Sequence, residues 1–179
     1  MPQIEIRPAA LSDLSKLTAM DHSFKTNYVW QMDVASEEGQ MGITFREVRL
    51  PRPIKVDYPR ATESLAADWP ERATILVGLL ENQPVGYISI SEKIAPTTAW
   101  VTNLVVDPAV RRQGIGSALA LASQDLALQR RLRRTVLEMQ SKNIPAIHLA
   151  RKLGYDFCGY NDHYYENQDI AVFFGLFLR

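Results

Sequence analysis

The chain predicts one α/β (α+β) domain over residues 1–179, built on a central, mostly antiparallel mixed sheet flanked by helices. Three observations predict it. Residues 72–91 read as a strand hairpin, and a further strand, Trp100 to Val106, precedes the first long helix-forming segment. Two such segments, Gly114 to Gln129 and Asn143 to Leu153, then alternate with apolar runs. Hydrophobic residues make up 46% of the sequence, enough for a core, and no repeat, low-complexity stretch or linker divides it.

Each element has its own warrant. Ile4 to Arg7 alternates as a strand and Pro8 ends it. Ser12 or Asp13 caps a short helix with Leu14, Leu17 and Met20 on one face. Residues 21–33 (DHSFKTNYVWQMD) have no clean period and read as a loop with anchoring aromatics; alternatively Phe24, Tyr28 and Trp30 line a substrate groove. Ile43 to Leu50 alternates, and Pro51 and Pro53 are expected to end that strand. Residues 58–72 read as loop or short helix. Arg72 to Leu80, a turn at Glu81-Asn82-Gln83, and Pro84 to Ser91 make the hairpin. Thr135 to Met139 and the tail Ile170 to Leu178 are apolar strands.

Chemistry concentrates at residues 105–117, VVDPAVRRQGIGS. The β-branched run ends at Asp107-Pro108, because proline has no N–H to give a ladder. A short loop then opens a helix with two glycines. The first N–H groups of a helix are unpaired and carry partial positive charge. Glycine lets a bulky anion approach that backbone, and Arg111 and Arg112 add full charges beside it. The stretch reads as a site for a phosphate or pyrophosphate. It is not a dinucleotide fingerprint, since Leu119 stands at the third glycine position, and no nucleotide P-loop run occurs.

Composition narrows the classes. Twenty basic and twenty acidic residues cancel, which argues against a nucleic-acid protein steered by bulk charge. Arg130, Arg131, Arg133 and Arg134 follow a helix, where cations suit the dipole. The lone Cys158 permits no internal disulfide and suits a reducing, cytoplasmic setting. No apolar run reaches the roughly 18 residues of a membrane span, and the N-terminus has no signal-peptide pattern. No His/Cys cluster suggests a metal.

The run R111-R112-Q113-G114-I115-G116 resembles the acyl-CoA motif of the GNAT superfamily of N-acetyltransferases, and LVVDP before it resembles that family's central strand. Leu137 to Tyr160 resembles the family's next strand, helix and strand. The resemblance implies a splayed strand pair and acetyl-CoA as co-substrate. It implies a pyrophosphate on the N–H groups of Arg112, Gln113, Gly114, Ile115, Gly116 and Ser117, with the Arg111 charge beside it. It also implies pantetheine amides on the backbone of Leu104, Val105 and Val106, and a contact from Asn143, which equally suits a helix N-cap. The other partner would be an amine acceptor, and the protein a monomer or homodimer. The implied reaction is attack of a neutral amine on a thioester, for which Glu138 is the candidate base. The bland role for Glu138 is an ion pair with Arg133 or Arg134.

Two departures matter. Ala150 stands where many relatives carry a tyrosine that protonates the leaving thiolate, and Thr102-Asn103 stand where many carry an acid. Thr102 and Asn103 could position a water. Read as a strand, residues 160–165 place Tyr160, Asp162 and Tyr164 on one face, and His163 and Tyr165 on the other. They are either packing in a hairpin or site residues, with Tyr165 as replacement acid and Tyr160 and Asp162, with Phe24, contacting the acceptor. AMDHSF, FREV and KNIPAIHLARKLGYDFCGYND further resemble the streptothricin acetyltransferases, although the middle loop holds only Asp57, Glu63, Asp68 and Glu71 as acids. A CoA-binding module that has lost turnover is the alternative.

Overall fold

The computed structural model describes residues 3–69 and 74–179; Glu71 and Arg72 lie outside the described residues. Strand β1 (Ile4–Pro8) leads through a 3-10 turn into α1 (Leu14–Ala19). Asp13 starts this segment: its carboxylate accepts the Ala10 N–H at 2.7 Å and the Arg7 guanidinium at 2.7 and 3.0 Å. That bonding holds the Asp13 carboxyl below the usual carboxylate range.

A long ribbon follows, β2 (Phe24–Glu37) against β3 (Gln40–Val56). Both are longer than the sequence predicts. The loop expected at residues 21–33 is mostly strand, and β3 runs past Pro51 and Pro53. The register explains the prolines. Pairing jumps from Thr26↔Ile54 to Tyr28↔Arg49, so residues 50–53 form a bulge that needs no ladder N–H. The missing period at 21–33 has a related cause. The ribbon is a separate two-stranded sheet, buried where Phe24, Thr26 and Val56 meet the body and half-buried where Trp30 packs 5.5 Å from Phe174. The Trp30 N–H also donates to the Ser141 carbonyl at 2.9 Å, pinning the ribbon beside the central sheet.

Helix α2 (Ser64–Asp68) precedes β4 (Thr74–Leu80) and β5 (Gln83–Ser91), a hairpin whose turn places Glu81 and Asn82 at φ 50° and 61°. Next come β6 (Thr98–Val106), α3 (Ile115–Gln129), β7 (Arg134–Gln140), α4 (Ile144–Lys152), β8 (Asp156–Asn161) and β9 (Ala171–Phe177). The sheet is seven-stranded in the order β1-β4-β5-β6-β7-β9-β8. Every neighbouring pair is antiparallel except β6–β7, which α3 joins as a crossover. Strand alternation feeds two cores. Ile88, Val101 and Phe174 pack with Leu119 of α3 and Ile147 of α4; Val77 and Val105 pack on the other face with Leu17 of α1 and Leu65 of α2. The expected mixed sheet flanked by helices is borne out.

One irregularity of this sheet positions the site. β6 and β7 pair only from Thr98↔Arg134 to Val101↔Leu137, although β6 runs on to Val106 and β7 to Gln140. The strands splay, as expected, and β6 keeps β5 on one edge while its other edge opens. Beyond Asn161 the alternation predicted for residues 160–165 stops. Asp162 and His163 form a turn, with His163 at φ 52°, and Tyr164 and Tyr165 both turn back toward β7.

Candidate active site

The open edge of β6 is the floor of a groove. Leu104, Val105 and Val106 line it from the strand, and Arg111, Arg112, Gly114, Ile115, Gly116 and Ser117 close one end. Gly114, the N-cap of α3, lies at φ 90°, a left-handed conformation that costs glycine little. Arg112 also has positive φ, 67°. These two turns bend the loop so that the start of α3 faces the groove. The Arg111 Nε donates to the Val106 carbonyl at 2.8 Å, folding the guanidinium over the strand end. Burial there lowers its pKa, opposed by Asp21 and Asp107, so a partly desolvated cation borders the helix N-terminus. Of the residues the sequence assigned here, Gln113 alone does not line the groove; it is exposed in the loop.

Asn143 caps α4, its Oδ1 accepting the Ala146 N–H at 3.1 Å, with Pro145 in the first turn. It also lines the groove and a smaller cavity in the splay. The cavity and the groove share Tyr58, Leu104, Asn143 and Ala146 as walls. Ala150 faces the core with no exposed surface, so α4 offers no hydroxyl. The phenols at the cavity are Tyr58 and Tyr165. The Tyr58 hydroxyl donates to Asn103 Oδ1 at 2.9 Å.

Glu138 lines that cavity, and its side chain is fully enclosed. Oε1 accepts from the Arg60 guanidinium at 2.5 Å and from Tyr165 at 3.4 Å; Oε2 accepts from Trp100 Nε1 at 2.8 Å and from Tyr164 at 3.2 Å. Both oxygens are engaged. The ion pair expected with Arg133 or Arg134 does not form. The Arg134 side chain lies over the Phe177 ring, and the cation comes from the loop between β3 and α2. Burial, followed by the Glu138 charge, pushes the Tyr165 phenol far above its ordinary value. Burial does the same to Tyr58. Both phenols therefore hold their protons and act as hydrogen-bond donors.

The acceptor contacts expected from the sequence do not assemble. Tyr160 packs edge-on against Phe45 at 5.5 Å, and exposed Asp162 accepts the His163 N–H at 2.9 Å; neither lines the groove or the cavity. Both sit on or just past β8, the sheet's outermost strand, with β9 between it and β7. Phe24 lines the groove instead of a separate acceptor wall. Sequence reasoning missed Arg60, Trp100 and Tyr58. Arg60 and Tyr58 belong to an aperiodic stretch, and no local pattern marks them.

A model of the acetyltransferase (GNAT) family matches residues 25–155. The chain belongs to the GNAT family of acetyltransferases. Its acyl donor is acetyl-CoA. A streptothricin acetyltransferase of Streptomyces lavendulae is 29% identical over 168 residues, covering 90% of this chain and 86% of that protein. A nourseothricin acetyltransferase crystal structure superposes with a TM-score of 0.82 at 23% identity, covering 98% of this chain and 99% of the other. A putative streptothricin acetyltransferase from Bacillus anthracis, solved with acetyl coenzyme A, gives a TM-score of 0.76 at 21% identity, covering 98% and 100%. Among the described residues no group of His, Cys, Asp and Glu is arranged to hold a metal, and no helix is long and apolar enough to cross a membrane.

Proposed function

We propose that this acetyltransferase modifies a primary amine of a streptothricin-like or other small cationic molecule by direct attack on the thioester of acetyl-CoA. The observation that carries the reading is the open edge of β6, which leads from the glycine-capped start of α3 to the cavity beside Glu138. The likeness to the streptothricin and nourseothricin enzymes supports the acceptor class. In this reading the pyrophosphate sits on the N–H groups of residues 112–117. The pantetheine arm adds to β6 as a strand would, through the main chain of Leu104, Val105 and Val106, with Asn143 alongside.

Direct attack fits the lining, since no cysteine borders the groove or the cavity. An ammonium gives one proton to the Glu138 carboxylate, and the freed amine attacks the carbonyl carbon. The C–N bond forms, the C–S bond breaks, and the amine loses its second proton. CoA leaves as thiolate, and one proton ends on sulfur. Tyr165 serves as a hydrogen-bond donor to Glu138 in preference to the acid expected from the sequence. A thiol near pKa ~8.5 leaves unaided more readily than a buried phenol gives up its proton. Incubation of the purified protein with acetyl-CoA and streptothricin should release free thiol and yield monoacetylated antibiotic. No thiol release with streptothricin or with a panel of primary amines would overturn the reading; binding without release would indicate a CoA-binding module.

A further inference from the structure

We propose that the Glu138 carboxylate, boxed by aromatic rings, is the receptor for the acceptor's ammonium group, and that Arg60 is its resident stand-in, exchanged when the acceptor binds. The inference rests on the amine-acetylating reading above and adds where the cation sits. Trp100, Tyr164 and Tyr165 each hydrogen-bond the carboxylate, and Phe173 joins their rings in one cluster, with centroid separations of 5.1 Å for Trp100–Phe173, 5.0 Å for Tyr164–Tyr165 and 5.9 Å for Tyr164–Phe173. A carboxylate beside an aromatic face, here that of Tyr165, is the chemistry that holds an organic cation. The Arg60 guanidinium occupies that position now, at Glu138 Oε1 and 5.2 Å from the Tyr165 centroid.

The partners differ in how they are held. Trp100 and Glu138 belong to β6 and β7, and the Tyr164 and Tyr165 amides are tied to the Asp169 carbonyl. Arg60 comes from a segment, residues 57–63, that is neither strand nor helix, and about a quarter of its side chain is exposed (26%). An enclosed carboxylate stays ionised when a counter-ion is beside it. Exchanging one cation for another leaves the box's net charge unchanged, so the swap adds no unpaired charge. Glu138 also lines the splay cavity, so an ammonium held there stands next to the place for the thioester.

The test is calorimetric titration with n-butylammonium chloride, which needs no turnover. Arg60→Met should bind this probe about tenfold more tightly than the unmodified protein. Adding Glu138→Gln to Arg60→Met should abolish the binding. With the unmodified protein, methylguanidinium should raise the KM for the amine acceptor and leave that for acetyl-CoA unchanged. Equal butylammonium affinity with and without Arg60, or no competition by methylguanidinium, would overturn the proposal. Should Arg60→Met fail to fold, the competition measurement decides alone. Arg60-dependent ammonium binding without acetyl transfer would remove the proposed reaction and keep the cation site.

Discussion

The groove and the carboxylate box share strand β6, but the two regions are built from different material. The groove presents main chain: an open strand edge, a left-handed Gly114 and the unpaired N–H groups of α3. Some side chains of that stretch face the cores, as with Ile115 and Val105, 1% and 3% exposed. The box presents side chains, each oxygen of Glu138 meeting donors from distant parts of the chain. Main-chain recognition tolerates many side chains and suits a co-substrate whose amides and phosphates never change. Side-chain recognition is specific to one arrangement and suits an acceptor that differs from enzyme to enzyme.

Substitutions should separate the two regions. The largest effect is expected at Glu138→Gln. It removes the proposed proton acceptor and leaves the Arg60 guanidinium without its counter-charge, so kcat should fall by about 10²–10⁴ at neutral pH. The loss should shrink at high pH, where the amine is already free, and acetyl-CoA affinity should hold. An equal loss at all pH values would make Glu138 structural. Next in size, Gly114→Asp places a negative charge at the proposed pyrophosphate position and strains a φ of 90°, with no atom within 4 Å of the added Cβ. Acetyl-CoA affinity should drop about 100-fold or more, by calorimetry, at the expense of roughly 1–2 kcal/mol of stability. Unchanged affinity would misplace the phosphate.

The difference between the regions also explains what the sequence discloses. The groove's floor and its glycine-capped end come from one contiguous stretch, residues 104–117, where an apolar run, a proline stop and two glycines each have a local meaning, while its walls come from residues 22–25, 58 and 143–152. The box joins residues 60, 100, 138, 164 and 165: the pairing of β6 with β7 sets Trp100 near Glu138, and the loop before α2 and the turn after β8 bring the other three. No period marks Arg60. Tyr164 and Tyr165 follow a turn with positive φ at His163 that the alternation of the preceding residues does not foretell. The ribbon β2–β3 was hidden for a similar reason: with little packed against either face it lacks a buried stripe, and its prolines fall in a bulge.

The smallest effect concerns His22, on the groove's wall. Its Nδ1 lies 2.7 Å from the Met20 carbonyl and its Nε2 2.9 Å from the Tyr87 hydroxyl. This geometry assigns the proton to Nδ1 and leaves Nε2 accepting from Tyr87. Burial, the largest influence, pushes its pKa below the ordinary 6.5. The unfolded chain then binds a proton that the folded one refuses. His22 therefore contributes stability above about pH 6.5, lost as pH falls through its lower folded value. Urea unfolding across that range should show the slope, and His22→Gln should flatten it. An identical slope in the variant would assign the acid sensitivity elsewhere.

The most direct test of the account is a crystal structure of the protein with CoA bound. The pantetheine amides should lie about 2.9 Å from main-chain atoms of Leu104, Val105 or Val106. The pyrophosphate should rest on the N–H groups at the start of α3, and the sulfur should lie in the splay beside Glu138. A CoA bound outside the splay, or one whose phosphates ignore Gly114 to Ser117, would contradict it.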